Sequence, residues 1–317
     1  MLISGLVVFY LYYSGREQDS DHYPKTAVQS SSSISQLRNN DFRYVKPLRV
    51  VDLPEESETY SALKQEISLL IQDKQNQGII TDASVYFRVL NNGAWISING
   101  NTSYRAGSLI KVPIMIYYLK QADKEPAILS QTRTYKKTSR VIPDQSYQGV
   151  SISVGKPYTV RELISSMIQN SDNYATSLLN GQMNVESFCK MFTDLGIKRP
   201  DLKDINYSIT AVDYSKFLRV LYNATYLSPE NSEFALKQMT QCTFSEGLVK
   251  KLPKDLVVAH KFGEANDPEK TELSESGIFY AGSNPYLLTV MVNGRELPRN
   301  AELLSDISLL VYNKMKQ

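Results

Sequence analysis

The sequence predicts an α/β fold in which one sheet of five strands is covered by helices and lies beside an all-α lobe. Segments with the alternating apolar residues of strands occur in two groups, two before residue 101 and three after residue 254. Between them, residues from about 123 to 245 show mostly helical apolar spacing. A chain of 317 residues with 42% apolar residues can bury a sizeable core. We therefore interpret the middle of the chain as a helical insert.

The N-terminal part is expected to lie outside this fold. Residues 1–13 are uncharged and mostly apolar, yet shorter than the roughly 20 residues that span a bilayer. We interpret them as the remnant of an export signal or as a membrane anchor. Residues 14–45 are polar and serine-rich, which predicts a flexible linker. The folded domain is thus predicted to span residues 46–317 and to be extracytoplasmic, either membrane-anchored or secreted.

The first half of the domain contains a helix, a hairpin and a second helix. The segment "ETYSALKQEISLLIQDKQNQG" predicts a helix that ends at Gly78. Two strands follow in "ASVYFRVL" and "GAWISING", joined by the turn sequence Asn91-Asn92-Gly93. The segment "LIKVPIMIYYLKQA" predicts a helix that begins near Ser108, because a proline such as Pro113 is tolerated in a first helical turn.

The second half supplies the insert and the remaining strands. Four segments predict helices: "TVRELISSMIQNSDNYATSLLNG", "VESFCKMFTDLG", "TAVDYSKFLRVLYNATY" and "SPENSEFALKQMTQ". Thr159, followed three residues later by Glu162, predicts a capping box at the start of the first. Three strands are then predicted in "DLVVAHKFG", "SGIFYAG" and "YLLTVMVNG", before a last helix, "NAELLSDISLLVYNKMKQ".

Composition excludes several classes of protein. Lys and Arg number 35 against 33 Asp and Glu and form no basic stripe, so nucleic-acid binding is not expected. The two histidines, His22 and His260, are too few for a histidine-based zinc site, and no metal or other cofactor is predicted. They also leave only His260 as the base of a Ser-His-Asp hydrolase. Two cysteines, Cys189 and Cys242, can pair in an exported protein or can both be small buried residues.

A Ser-x-x-Lys pattern is the first candidate for chemistry. In a helix, positions i and i+3 share a face, so Lys111 can reach Ser108. A serine hydroxyl needs a base to become a good nucleophile, and lysine is that base only when burial or a nearby cation lowers its pKa. The pattern occurs four times, at Ser61/Lys64, Ser108/Lys111, Ser153/Lys156 and Ser187/Lys190. Only the second lies at a helix start with further motifs around it.

Three motifs follow one another along the chain: "SLIK" from Ser108, "SDN" from Ser171 and "KFG" from Lys261. Their order and flanks resemble the Ser-x-x-Lys, Ser-Asp-Asn and Lys-Thr-Gly motifs of class A β-lactamases and penicillin-binding proteins. The resemblance covers roughly residues 55–317 and includes the flanks "YTVRELISSMIQNSDNYATSLL" and "LVKKLPKDLVVAHKFG". It implies a β-lactamase/transpeptidase-like fold, with an antiparallel five-stranded sheet flanked by helices and a helical insert.

The resemblance also implies roles for the motif residues. Ser108 would be the nucleophile, Lys111 its base and Lys261 the cation that lowers the pKa of Lys111. Ser171 would relay a proton to the leaving amine.

Substrate binding would fall to other positions of the same motifs. Asn173 would hold the substrate's amide carbonyl, and Asp172 would brace its loop. The oxyanion hole would use the backbone N–H groups of Ser108 and of Glu264, which follows Gly263 on the same strand. His260 is expected to face away from the site, because neighbours in a strand point to opposite faces.

Two departures from the family pattern bear on the substrate. Phe262 replaces the Thr or Ser of the third motif and has no hydroxyl for a substrate carboxylate. Class A enzymes also carry a Glu-Pro-x-x-Asn loop whose glutamate activates the deacylating water. The corresponding stretch here, "LGIKRPDLKDINYSITAVDYSKF", contains no glutamate, and Asp201 and Asp204 are the carboxylates in its "RPDLKDIN" part. Deacylation is therefore expected to be slow.

The sequence thus predicts a monomeric serine hydrolase that forms an acyl-enzyme on Ser108 with an amide or ester, either β-lactam-like or a cell-wall peptide. One alternative is a penicillin-binding-like D,D-peptidase or β-lactam-trapping protein, and another is a catalytically idle binding module. Two lysines in one cleft argue against the idle module, because each carries a desolvation cost. The expected partners are a small-molecule or peptide substrate and, through the anchor, the membrane.

Overall fold

The computed structural model describes residues 34–39, 47–136, 145–147, 149–201, 207–266 and 270–316. In these residues the strands are β1 (Ser35–Arg38), β2 (Leu48–Asp52), β3 (Ile80–Val89), β4 (Trp95–Ile98), β5 (Ser103–Arg105), β6 (Thr132–Thr134), β7 (Pro157–Thr159), β8 (Ser208–Thr210), β9 (Val258–Asn266), β10 (Thr271–Phe279) and β11 (Tyr286–Gly294). The helices are α1 (Ser61–Asn76), α2 (Lys111–Ala122), α3 (Val160–Gln169), α4 (Asn173–Asn180), α5 (Val185–Asp194), α6 (Ala211–Tyr222), α7 (Pro229–Met239) and α8 (Leu297–Met315).

Five strands form one antiparallel sheet in the order β4-β3-β11-β10-β9, which confirms the predicted fold class. The strand β10 pairs along its whole length with β9 on one side and β11 on the other. Because β9 is an edge strand, one of its long sides faces the helical part of the molecule instead of another strand.

Both faces of the sheet are covered, so the central strands β10 and β11 are buried on both sides. On one face, Val290 and its neighbours pack against α1 and α8. Helix α1 contributes Leu63, Ile67 and Ile71, which are spaced four residues apart and so lie on one face. On the other face, Met291 belongs to the core that the sheet shares with the helical lobe.

Helix α2 lies at the centre of the lobe. Every residue from 111 to 119 is buried, as expected for a helix that is apolar all round. Short ladders also occur, β6 with β7 and β5 with β8. Strands of three residues are too short to give a clear alternating pattern, and the sequence did not reveal them.

The segment predicted as one helix from Thr159 to Gly181 is two helices, α3 and α4. They are separated at Ser171, whose φ of 54° is left-handed and incompatible with a continuous helix. Asp172 then caps α4 with an extended backbone. The predicted capping box of Thr159 and Glu162 is present at the start of α3.

The N-terminal prediction differs in one detail. Strand β1 lies in the predicted linker and pairs antiparallel with β2, so regular structure begins by residue 35 and not at residue 46. Its residues, "SQLR", are mostly polar and exposed, and hence composition alone did not indicate a strand. Residues 1–33 and 40–46, with the predicted anchor and most of the predicted linker, lie outside the described residues. No described helix is long and apolar enough to cross a membrane.

Two glycines bring β9 against the turn that precedes α2. A Cβ on Gly263 would overlap the carbonyl oxygen of Ala106 and lie 2.7 Å from the backbone nitrogen of Leu109. Gly107 has a φ of 48°, and a Cβ there would overlap the carbonyl oxygen of Glu264. Because both positions lack a Cβ, the edge of the sheet and the start of α2 meet backbone to backbone.

Candidate active site

Ser108 lies in the contact between β9 and α2. It belongs to the 3₁₀ turn Gly107–Ile110, which leads directly into the helix. Its side chain is mostly buried, and its Oγ donates a hydrogen bond to Gln145 Oε1 at 3.1 Å. The amide groups of this helix start favour negative charge that develops on the serine oxygen.

Lys111 is the first residue of α2, one turn after Ser108, and is buried. Its Nζ donates to Ser171 Oγ at 3.0 Å, to the carbonyl oxygen of Ser171 at 2.6 Å and to Asn173 Oδ1 at 2.8 Å. The first and second motifs therefore meet at this ammonium group.

Lys261 brings the third motif to the same place. It is fully buried, and its Nζ donates to Ser171 Oγ at 3.0 Å and to the carbonyl oxygen of Phe262 at 2.9 Å. The Ser171 hydroxyl thus accepts from both lysines, and it donates to Gln145 Oε1 at 3.0 Å. One donor and two acceptor positions are all that a hydroxyl has, so its hydrogen-bonding capacity is filled.

The surroundings favour loss of a proton from the lysines. Burial, followed by the charge of Lys261, lowers the pKa of Lys111 well below its usual 10.5. Burial also lowers the pKa of Lys261 to about 8. Two cations in one desolvated cleft destabilise each other, which favours the neutral form of Lys111. Lys111 therefore has the electrostatics of a general base.

Asp172 is a bracing residue and does not face the nucleophile. Its Oδ1 accepts from the backbone nitrogens of Tyr174 and Ala175 at the start of α4, at 2.8 and 3.3 Å. Its Oδ2 accepts from the backbone nitrogen of Ile152 and from Ser166 Oγ, both at 2.8 Å. These four bonds hold the Ser171 backbone in its left-handed conformation between α3 and α4.

Glu264 follows Gly263 on β9, and its backbone contacts the turn at Gly107. Its side chain is 9% exposed, and its Oε1 accepts a hydrogen bond from the backbone nitrogen of Ser146. Among the described residues, its buried Oε2 has no hydrogen-bond partner. Burial raises the pKa of Glu264, an effect that the N–H groups of Ser146 and Tyr147 partly offset. A carboxylate therefore lies beside the site.

Phe262 belongs to an aromatic cluster. It is buried and stacks on Phe244 with ring centroids 4.1 Å apart, while the ring of Tyr147 meets it edge-on at 6.2 Å. The Nζ of Lys261 lies 4.1 Å from the centroid of the Phe262 ring. The position that carries a hydroxyl in the family motif is therefore apolar in this protein.

His260 faces away from Lys261, as the alternation of the strand predicts. Its Nδ1 lies 2.6 Å from Glu275 Oε1, and Glu275 Oε2 accepts from the backbone nitrogen of Leu248 at 2.7 Å. This pair is buried and engaged within itself, so His260 does not serve Ser108.

Both cysteines, Cys189 and Cys242, are free thiols. The described part of the chain contains no cluster of His, Cys, Asp and Glu that could hold a metal ion.

Sequence reasoning missed Gln145. Its Oε1 accepts from both Ser108 and Ser171, and its Nε2 donates to Asn173 Oδ1 at 2.5 Å. A carboxamide of the protein itself thus occupies the space beside the nucleophile. In the sequence around Gln145, "RVIPDQSYQG", neither periodicity nor a motif marks this residue. Of the two candidate water-activating residues, Asp201 is exposed and Asp204 lies outside the described residues.

Comparison with known proteins gives matches that cover most of the domain. A family model described as the beta-lactamase enzyme family matches residues 62–315. None of the curated proteins gives a significant match. The solved structure of PBP-A covers 83% of this chain and 98% of its own, with 23% identity and a TM-score of 0.69. A β-lactamase from Chitinophaga pinensis covers 80% and 100%, with 21% identity and a TM-score of 0.70. The extended-spectrum β-lactamase TLA-1 covers 82% and 100%, with 18% identity and a TM-score of 0.71. At these identities the likeness establishes the fold.

Replacing Asp172 by alanine is expected to destabilise the protein by about 3 kcal/mol, because four donors, some of them buried, lose their acceptor. The matched control is Asn184→Ala at the start of α5, where the side chain caps only the backbone nitrogen of Ser187 and the loss should be about 1 kcal/mol. Urea unfolding followed by circular dichroism measures both. Equal losses in the two variants would show that Asp172 braces nothing beyond its own helix.

Proposed function

Because the chain belongs to the beta-lactamase enzyme family and is a serine hydrolase, we propose that it cleaves an amide or ester through an acyl-enzyme on Ser108. The observation that carries the proposal is the position of Ser171 Oγ, 3.0 Å from both Lys111 Nζ and Lys261 Nζ. Through Gln145, this group also connects to the Ser108 hydroxyl. A nucleophile, a base with a lowered pKa and a proton relay thus share one hydrogen-bonded cluster.

Acylation proceeds from this arrangement in two proton transfers. Neutral Lys111 takes the proton of Ser108 Oγ as that oxygen forms a bond to the substrate's carbonyl carbon. The negative charge on the carbonyl oxygen is stabilised by the backbone N–H groups of Ser108 and Glu264. Lys111 then returns the proton through the Ser171 hydroxyl to the leaving group, whose bond to carbon breaks. Lys261 keeps its charge throughout and holds Ser171 in place.

The substrate class we propose is a β-lactam or a related cell-wall peptide amide. Family membership supports it, and a mutant of the structurally similar PBP-A is known as its acyl-enzyme complex with penicillin G. The second candidate is a penicillin-binding-like peptidase or a β-lactam-trapping protein. It is supported by the lack of a glutamate in the segment "LGIKRPDLKDIN", because an acyl-enzyme without a water-activating base persists.

We also propose that the enzyme acts outside the membrane. The uncharged apolar residues 1–13 and the polar segment after them support an N-terminal export signal or anchor. A domain held in this way would meet cell-wall peptides outside the membrane.

A mass spectrum of the intact protein after incubation with a fluorophosphonate probe or with penicillin tests the proposed function. Wild type should gain the mass of one adduct, and Ser108→Ala should gain none. Ser187→Ala, which removes another serine with a lysine three residues later, should label like wild type. Labelling of Ser108→Ala at the wild-type level would exclude the mechanism. A persistent penicillin adduct favours trapping, and rapid loss of the adduct favours turnover.

The pH dependence of acylation should be bell-shaped. The rate should rise with pH as Lys111 loses its proton, since its folded-state pKa is lowered. It should fall above about 8 as Lys261 loses the charge that holds Ser171. In Lys261→Arg the falling limb should disappear, because a guanidinium keeps its proton. Stopped-flow acylation rates across this range check the prediction, and a wild-type rate that keeps rising above the pKa of Lys261 would contradict it.

Removing the Gln145 side chain should speed acylation by a small probe. In Gln145→Ala the Ser108 hydroxyl no longer donates to a protein carboxamide, and the vacated space admits the probe. Loss of one or two such hydrogen bonds corresponds to about a tenfold faster second-order rate. Gln169→Ala, which removes a carboxamide that contacts Gln238 and Gln241 instead, is the control and should leave the rate unchanged. Slower acylation of Gln145→Ala would mean that Gln145 assists the reaction.

A further inference from the structure

We propose that Glu264 sets a preference among the substrates of this site, so that those with an N–H or ammonium group next to the scissile bond react faster than those with a carboxylate there. The inference rests on the proposed acyl-enzyme function and names the substrate class for that same site. It does not require that Glu264 take part in bond making or breaking.

The position of Glu264 is fixed by the backbone. Gly263 and Gly107 allow β9 to touch the turn that carries Ser108, so the residue after Gly263 lies next to the nucleophile. Glu264 also lies close enough to Lys111 and Lys261 for its negative charge to raise the pKa of each. A group attached to the scissile bond therefore lies within the electrostatic reach of this carboxylate.

The hydrogen bonding of Glu264 is incomplete. Its Oε1 accepts from the backbone nitrogen of Ser146, and the Ser146 side chain and the Tyr147 N–H lie close enough to act on the carboxylate, yet its buried Oε2 has no partner in hydrogen-bond geometry among the described residues. A buried acceptor without a donor costs free energy, and a substrate donor that reaches it recovers that cost. A substrate carboxylate has only lone pairs to offer and adds a like charge.

The chain itself shows the kind of group that fits. Gln145 offers a carboxamide to Ser108, and the next residue, Ser146, offers its backbone N–H to Glu264. A peptide-like substrate that displaces this segment can repeat both contacts, with its scissile carbonyl at Ser108 and an N–H donor close by. The groups that Gln145 and Ser146 place in the site therefore indicate which substrate groups fit there.

In the described third motif, the groups that could attract a substrate carboxylate are engaged or absent. Lys261 donates to Ser171 and to the carbonyl oxygen of Phe262, and the Phe262 side chain has no hydroxyl. This side of the cleft therefore favours positive or donor groups.

Three thioesters test the inference. They share one acyl group and differ in the leaving thiol, which ends in a carboxylate, a primary amide or an ammonium group. The second-order rate of Ser108 acylation is measured by intact mass and divided by the rate at which the same thioester hydrolyses spontaneously. Wild type should prefer ammonium over carboxylate by about thirtyfold, with the amide between them. In Glu264→Gln the ratio should fall to within about threefold of unity.

Glu302→Gln, on α8, is the matched control, because it removes one negative charge from an exposed ion pair with Lys251. It should keep the wild-type ratio. A second measurement needs no variant: in wild type the ratio should shrink as the pH falls through the pKa of Glu264, which burial raises.

The outcomes separate the two proposals. If the fluorophosphonate fails to label Ser108, both the acyl-enzyme function and the inference are overturned. If Ser108 is labelled but the ratio is the same in wild type and Glu264→Gln, only the inference is overturned, and Glu264 merely holds Ser146.

Discussion

The site depends on one hydroxyl group shared by two buried lysines. Ser171 Oγ accepts a hydrogen bond from Lys111 on a helix and from Lys261 on a strand, which joins the helical lobe to the sheet. Without this hydroxyl, two ammonium groups in a desolvated cleft would each lose one hydrogen-bond acceptor and would repel each other. The same contact makes the cleft useful for chemistry, since the environment that disfavours two charges also makes Lys111 a base.

Several unrelated features serve this contact. The left-handed backbone at Ser171 breaks the helix there and directs the hydroxyl toward both lysines, and Asp172 stabilises that break from both sides. Gly107 and Gly263 let β9 approach α2 closely enough for Lys261 to reach across. The chain therefore accepts strained or side-chain-free positions at the boundary between its two cores. These positions are where the chemistry lies.

Much of the fold could be predicted from the sequence because most helices and strands show the apolar spacing or the segment length typical of their type. The pair of Ser108 and Lys111 could also be predicted, because helical spacing places both on one face. The helix break at Ser171 was missed since the apolar spacing continues through it, and β1 was missed because its polar residues are held by backbone pairing. Gln145 could not be found, because its role comes from contacts with residues distant in the sequence and not from any local pattern.

The central claim, that Lys111 is a base whose pKa is lowered by burial and by Lys261, can be measured by nuclear magnetic resonance of protein with ¹⁵N-labelled lysine side chains. The Lys111 signal is assigned by its loss in Lys111→Arg. We expect it to titrate well below the usual pKa of lysine, near 10.5, and to move upward in Lys261→Met, where the neighbouring charge is gone. A Lys111 signal that titrates with the exposed lysines, or one that does not respond to Lys261→Met, would contradict the account.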